Sequence, residues 1–469
     1  MRTPMPEFPA GHLAQWTRGR WTAEPVTPLT GFSIDTRQLR QGQVFVAIKT
    51  DRNDGHHFLA EAQEAGAGAA LVAQADPSLS LPQLVVADPL AAFQAIAREH
   101  RRSFPGKVVG ISGSAGKTST KDLLAILLGG AEEGTLATEG NLNNHLGVPL
   151  TLTRLDPARH AFAVIEAGVS EPGEMKPLAD MIEPDVSLIT LVAEAHTEGL
   201  GGIAGVAREK AVLPAATRAS GIAIFPREAA EHSPFRDLGV RTMIVERAEV
   251  VRPAEPPKDR VYFSVTQRAG ETAVALAYGP PPPMVFHFRR VSDGMAQNAA
   301  LAICVALWLG ISRDAIQDRL AKWQPARLRG EIRHEDGRLL YLDCYNANPA
   351  SMLDALATFA ELAPEGDPRL YVLGCMEELG AGASRHHHDV GRAVPLREVD
   401  RLFAMGSHAH DLCAGVLARG NFSEQIQIVS SLDPIAACFA EWRGAVFVKG
   451  SRRHHLERIL EVQTCLPLA

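Results

Sequence analysis

The sequence predicts an α/β protein of three domains, and three observations lead there. Its 469 residues are more than one ordinary domain holds, so two or three units are expected. Apolar runs such as KVVGIS, AFAVIEAG and DVSLITLV alternate with helical or polar segments, the rhythm of a parallel sheet covered by helices. A second such series begins at Trp323, with LLYLDCYN, RLYVLGC, RLFAMG and AVFVKG as strands and SMLDALATFAELA and DPIAACFAEW as helices between them.

In chain order, residues 1–102 carry short apolar runs (VFVAI, AALVA, LVVA) around a helix-like segment, FLAEAQEAGAGAA, and read as a small α/β domain. A basic, Pro/Gly-containing stretch from Arg101 to Lys107 marks the first boundary. Residues 103–322 form the central domain. Its parallel rhythm breaks between Arg252 and Phe288, where PAEPPKD, strand-like text and GPPPP suggest an antiparallel excursion. Residues 323–469 form the doubly wound third domain.

Composition narrows the function. Hydrophobic residues make up 46% and charged residues 22%, which suits a globular protein with ample core. A net charge of -7 argues against a nucleic-acid binder. No signal-peptide core is read at the start, and no window approaches the roughly 20 apolar residues that span a bilayer. The six cysteines are scattered without CxxC spacing, so free buried thiols and a reducing, cytoplasmic location are expected.

The motif with the most specific chemistry is Gly110-Ile-Ser-Gly113-Ser114-Ala115-Gly116-Lys117-Thr118-Ser119. It follows a buried strand and opens a helix whose Leu123, Leu124, Ile126 and Leu127 have helical spacing. Glycines let backbone N–H groups curl around phosphate, and the helix N-terminus adds its positive end. Lys117 would reach the β/γ-phosphates and the Thr118 hydroxyl a Mg2+ shell. The strict P-loop pattern would need glycine where Ile111 stands. Glu166 ends the next parallel strand, where either a metal ligand or a solvated glutamate fits. His196, taken alone, reads as structural. His386-His387-His388 are consecutive on a helix and point in different directions, so they do not share an ion. The RRHHLER segment reads as a solvated helix apart from Arg452.

These segments together resemble the Mur ligases, and among them the MurF type. The gapped P-loop is similar to the Mur variant. TEGNLNNHLGVPLTL from Thr138 resembles the MurF segment that follows it, with His145 where an acid is common. Tyr345-Asn346-Ala347-Asn348-Pro349 is close to a MurF signature, and VLGCMEELG, His388, Gly391 and Lys449-Gly450-Ser451-Arg452 continue the match. Ser33-Ile34-Asp35-Thr36-Arg37 and Asp54-Gly55-His56 match at the N-terminus. Two departures stand out. Gly294-Met295-Ala296-Gln297 replaces a His-Asn pair ahead of Asn298, and Leu342-Asp343-Cys344 reduces a double acid.

The resemblance implies a small N-terminal UDP-substrate domain, a central P-loop-type parallel-sheet ATPase domain and a C-terminal Rossmann-like ligase domain. It implies ATP and Mg2+, a UDP-N-acetylmuramoyl-tripeptide and D-alanyl-D-alanine as substrates, and a monomer. Glu166 and His196 become metal ligands with Thr118, and Lys210 falls where related ligases have a lysine that can be carbamylated, although a surface helix also explains Arg208-Glu209-Lys210. Gly113 to Ser119, Asn298, Arg329, Asp343, Tyr345, Asn346 and Asn348 are implied ATP contacts, with Arg327 a rival for Arg329. Ser33, Thr36, Arg37, Asn141, Asn143, Asn144, Lys449 and Ser451 are implied substrate contacts. Three other readings remain. A sister ligase adding one amino acid would carry Asp-Asn-Pro-Arg, which is absent; Gly366-Asp-Pro-Arg369 lies in the wrong place. A folylpolyglutamate synthetase would lack the YNANP signature. A P-loop module that binds nucleotide without ligation would leave the rest of the match unexplained.

Overall fold

The computed structural model describes residues 6–195, 197–251, 258–268 and 270–461. Within them the chain builds three sheets. The first holds β1 (Arg20–Trp21), β2 (Phe32–Ser33), β3 (Val44–Val46), β4 (Ala69–Val72) and β5 (Gln83–Val85) in the order β1-β5-β4-β3-β2, parallel except for β1. The helix expected over FLAEAQEAGAGAA is shorter, Leu59–Glu64, because Gly66 turns the chain at positive φ and Ala69 already starts β4.

The central sheet runs β14-β13-β12-β11-β10-β9-β6-β8-β7. Its strands are β6 (Lys107–Ser112), β7 (Thr135–Ala137), β8 (Phe162–Glu166), β9 (Val186–Ile189), β10 (Ile222–Pro226), β11 (Thr242–Arg247), β12 (Arg260–Gln267), β13 (Glu271–Ala277) and β14 (Met284–Arg289). The excursion expected after Arg252 is the antiparallel meander β12–β14, but β12 pairs parallel to β11, so the meander extends the main sheet. Strand β6 lies between β8 and β9 with Val108, Val109 and Ile111 fully buried, each worth roughly 1.5–3 kcal/mol of transfer free energy. That buried strand fixes where the P-loop emerges. In the helix that follows, Lys117–Leu127, Leu123, Leu124 and Leu127 are buried, whereas Ile126 is 36% exposed.

The third sheet runs β15-β16-β20-β17-β18-β19, from β15 (Glu331–Glu335), β16 (Arg338–Asp343), β17 (Arg369–Gly374), β18 (Arg401–Met405), β19 (Ile426–Val429) and β20 (Ala445–Lys449). Only β15 is antiparallel to its neighbour. RRHHLER is not the solvated helix expected of it. It forms two short 3-10 turns, Arg452–His454 and Leu456–Leu460, with Leu456 and Ile459 buried in the apolar layer beneath the sheet.

The helix Pro89–Ser103 joins the first two sheets. Phe93 and Ile96 pack into the N-terminal core, while the fully buried Arg101 reaches Asp185 at 2.8 Å and the carbonyls of Ile182 and Glu183. Trp323 packs edge-on against Phe288 of the central core. Cys304, Cys344, Cys375 and Cys413 are buried free thiols, Cys438 is half-buried, and Cys465 lies outside the described residues. Among the described residues no helix is long and apolar enough to cross a membrane.

Candidate active site

The P-loop leaves β6 at Ser112 and is braced against the end of β9. Ser114 N–H donates to the Leu191 carbonyl (2.8 Å), Ser114 Oγ to the Ala193 carbonyl (2.8 Å), and Thr190 Oγ1 to the Ala115 carbonyl (2.5 Å). Two glycines are required by close approach. A Cβ at Gly113 would meet Thr190 Oγ1 at 2.0 Å, and one at Gly116, which sits at φ 75°, would meet Asn298 Nδ2 at 2.2 Å. The cradle is thus closed on one side by Asn298, brought in by the helix Asp293–Trp308. Thr118 and Ser119 occupy the first turn of the helix that Lys117 opens. Lys117 Nζ donates to the Gly113 carbonyl at 2.8 Å, curled over the loop, and desolvation pushes its ammonium below the usual lysine range against the pull of Glu166.

Glu166, 1% exposed at the end of β8, receives Thr118 Oγ1 at 3.2 Å and Asn143 Nδ2 at 2.8 Å on one carboxylate oxygen. Thr138 Oγ1 accepts its backbone N–H at 3.0 Å. The second oxygen, Oε2, is buried and has no partner. Lys210 Nζ is likewise buried and partnerless, on a fully buried side chain, and burial together with the charge of Lys117 drives it well below the ordinary lysine value. An isolated buried carboxylate oxygen is costly, and a cation held between it and the Thr118 hydroxyl would remove that cost. The donor set therefore fits a hard divalent cation. His196 lies outside the described residues, and no cluster of three metal-ligating side chains forms among those described.

The C-terminal domain reaches this cradle through Asn348. Its Oδ1 accepts the Ser351 N–H at 2.9 Å, capping the helix Pro349–Leu362, and its Nδ2 donates to the Ser114 carbonyl at 3.2 Å. The Arg329 guanidinium lies 3.9 Å over the Tyr345 ring and acts electrostatically on Lys117, whereas Arg327 is exposed and acts on Glu331. Of the two arginines, Arg329 is the one whose charge is felt at Lys117. Asp343 and Lys449, partners across β16 and β20, form an ion pair in which Lys449 is buried and Asp343 half-buried, and Lys449 also approaches the Asn346 carbonyl at 3.5 Å. Asn346 is exposed, with its Oδ1 accepting the Ala347 N–H, and Ser451 caps the 3-10 turn Arg452–His454. The helix Ala383–Ala393 sends its three histidines to different partners. His386 meets Glu194 at 3.1 Å, and the fully buried His387 accepts the Met376 N–H at 2.9 Å and stacks on His408; His388 lies 3.9 Å from Asp389.

Asn143 and Asn144 serve the site indirectly. One holds Glu166, and the other accepts the Leu146 and Gly147 N–H groups at the start of the next helix, while Asn141 is exposed. Ser33, Thr36 and Arg37 form a local turn capped by Asp35 in the N-terminal domain, with Arg37 salt-bridged to Asp35 at 2.8 Å. Among the described residues none of the three hydrogen-bonds to the P-loop. Sequence reading missed Thr190, Thr138 and Asp354. The last, from the helix Pro349–Leu362, accepts the Gly294 N–H at 2.9 Å across the domain boundary. The hydroxyl at the end of DVSLIT was a usable signal for Thr190; nothing local marked Asp354.

The chain is similar to known proteins along most of its length. Residues 111–306 match the Mur ligase middle domain and residues 328–452 the Mur ligase, glutamate ligase domain. The UDP-N-acetylmuramoyl-tripeptide–D-alanyl-D-alanine ligase of Escherichia coli strain K12 is 33% identical over 92% of this chain and 93% of its own. A crystal structure of MurF from Acinetobacter baumannii superposes with a TM-score of 0.85 at 27% identity, over 98% of this chain and 99% of that one. MurF from Thermotoga maritima in complex with ADP shares the fold, with a TM-score of 0.77 at 24% identity over 92% and 96%. A P-loop braced in this way, under matches that run nearly end to end, places the chain in one family: it belongs to the Mur ligases, in the MurF group.

Proposed function

We propose that this chain is the ATP-dependent ligase that joins D-alanyl-D-alanine to the terminal carboxylate of UDP-N-acetylmuramoyl-tripeptide, releasing ADP and phosphate, in the synthesis of peptidoglycan precursors. The observation that carries it is the half-satisfied Glu166 carboxylate beside Thr118 and the P-loop, in a chain whose full-length relatives bear that reaction in their names. Residues 1–102 hold the UDP substrate through Ser33, Thr36 and Arg37. Residues 103–322 hold ATP, and residues 323–469 complete the nucleotide site and receive the amine.

The tripeptide carboxylate attacks the γ-phosphorus of ATP, and the acyl phosphate that forms is attacked by the dipeptide amine, with phosphate leaving. Phosphoryl transfer needs positioning and charge neutralisation more than covalent help from the protein. Lys117 uncurls from Gly113 to lie along the β/γ-phosphates, and the P-loop N–H groups bind their oxygens. Thr118, Glu166, His196 and a carbamylated Lys210 would hold Mg2+, which supplies positive charge to the phosphates. A buried lysine pushed toward its neutral amine is the form that adds carbon dioxide. Asn298, Arg329 and Asp343 also contact ATP, with Tyr345, Asn346 and Asn348 near the base. The buried free thiols suit a reducing cytoplasm.

The test is phosphate release from ATP with UDP-muramoyl-tripeptide and D-alanyl-D-alanine, each omitted in turn. Release that requires both is expected. Release supported by a single free amino acid would move the chain to a sister ligase, and release independent of both would remove it from the ligases.

A further inference from the structure

At the end of the central sheet away from the P-loop, arginines outnumber the acids that could hold them. A cavity of about 450 Å³ opens there between the helices Pro89–Ser103 and Met175–Ile182, lined by Arg98, Arg102, Asp180, Glu183 and Arg218. Asp185, just ahead of β9, accepts the Val108 N–H at 3.0 Å where β6 begins, whereas the P-loop leaves β6 at its other end. The length of one six-residue strand, on the order of 20 Å, separates the two places.

Arg101 has a structural duty that occupies only part of its guanidinium. Its Nε donates to the Ile182 carbonyl at 2.9 Å and its Nη2 to the Glu183 carbonyl at 2.8 Å, which closes the end of the helix Met175–Ile182. Nη2 also meets Asp185 at 2.8 Å. Nη1 is buried and has no partner. Burial, and then the charge of Arg218, bring this arginine down to about 10. The surrounding carboxylates are already engaged: Lys176 holds Asp180 at 2.5 Å, Arg102 holds Glu183 at 2.6 Å, and Arg101 and Lys107 hold Asp185. Arg218 is left a 3.4 Å approach to Glu183, and Arg98 a 3.2 Å contact with Glu99, which Arg102 shares. Six cations thus share four carboxylates, an excess of two positive charges.

We propose that this cavity binds a phosphate dianion, as inorganic phosphate or as the phosphate of a small phosphomonoester, with Arg98, Arg102 and Arg218 as its contacts and the under-satisfied charge of Arg101 beside them. A dianion matches the excess charge, and guanidinium N–H groups pair with phosphate oxygens in strong charge-assisted bonds. It also offsets the repulsion between Arg101 and Arg218. The site has something to act on. The helix that presents Arg98, Arg101 and Arg102 carries Phe93 and Ile96 into the N-terminal core, and its Gln94 donates to the His145 carbonyl at 3.2 Å. An occupied cavity ties this helix to Met175–Ile182, so phosphate sets how firmly the N-terminal sheet is held to the central one. It does so a strand's length from the P-loop, without competing with nucleotide.

Calorimetric titration of the full chain with inorganic phosphate reads the site, at fixed ionic strength and with the P-loop filled by magnesium and a non-hydrolysable ATP analogue. One phosphate per chain is expected. Its affinity should fall about ten-fold in Arg218→Gln and likewise in Arg98→Gln, since each removes one charge-assisted contact at a position open to solvent. Phosphate should also raise the melting temperature of the wild type and leave that of the double variant unchanged. Glycerol phosphate separates the two sources. Binding as tight as that of inorganic phosphate assigns a phosphomonoester, and binding ten-fold weaker or more assigns free phosphate. No phosphate bound while the P-loop is occupied, or wild-type affinity in the folded variants, would overturn the site. None of these readouts uses turnover, so they stand whether or not the ligase reading does.

Discussion

The central and C-terminal domains both bury charge at the ends of parallel strands, and they treat it in opposite ways. At β8 the protein strands it: one Glu166 oxygen is out of water with nothing to bond, as is the Lys210 amine on the helix Ile203–Ala215. At β16 and β20 it satisfies it, with Lys449, 1% exposed, wholly engaged by Asp343. Burying an unmatched charge costs several kcal/mol, so the first arrangement carries a cost that a bound cation would relieve. The second needs no ligand, and it holds the segment that carries Tyr345, Asn346 and Asn348. One domain gives up stability to bind phosphate, and the other uses stability to position.

The contrast can be broken most visibly at Lys117. Lys117→Ala removes phosphate neutralisation and almost no packing, so ATP turnover should fall by on the order of 10³-fold with the melting temperature nearly unchanged. Near-normal turnover in a folded variant would end the assignment. Lys449→Ala should do the reverse and act first on folding. It leaves the half-buried Asp343 without its counter-charge and should cost about 1–3 kcal/mol in denaturant unfolding, much of it recovered by adding Asp343→Asn. If the single substitution proves neutral, the pair is not self-sufficient. Asp354→Ala removes a carboxylate that caps the helix Asp293–Trp308 from the other domain, and a loss of about 1 kcal/mol is expected, read from the urea midpoint. The smallest effect is a pH slope. Burial holds the His387 pKa below 6.5, so the unfolded chain takes up its proton first as pH falls. Stability should be level above about 6.5, decline as pH drops from there toward the folded pKa, and level off beneath it. His100 and His454 shift the same way, so His387→Gln should flatten the slope of melting temperature against pH without abolishing it.

The strand, loop and helix that carry the P-loop motif were legible because their geometry is local. A buried strand, two glycines and a lysine at a helix start fix the loop whatever surrounds it, and Gly113 to Ser119 lie where the sequence places them. Glu166 was half legible. Its strand end was clear, but which carboxylate oxygen is left over depends on Asn143, which arrives from another segment. The C-terminal residues were legible as a signature and illegible as roles. Asn348 stands in YNANP, yet its side chain is occupied by a helix cap and the Ser114 carbonyl, contacts set by tertiary packing. RRHHLER misled because its charges suggest solvent, while Leu456 and Ile459 fold under the sheet and draw His454 in behind them. Asp354 could not have been found, since its partner Gly294 is distant in the chain and offers only a backbone N–H.

The 3.2 Å contact from Asn348 to the Ser114 carbonyl has a thermodynamic consequence. One peptide unit of the phosphate loop is held by a residue that belongs to another domain, so the loop's shape and the position of that domain are a single variable. Whatever nucleotide gains by settling the loop is then also work done on the domain, and linkage makes the exchange reciprocal. A small molecule that wedges the C-terminal domain away from the loop would weaken nucleotide binding without occupying any part of its site, and nucleotide would expel that molecule by the same factor.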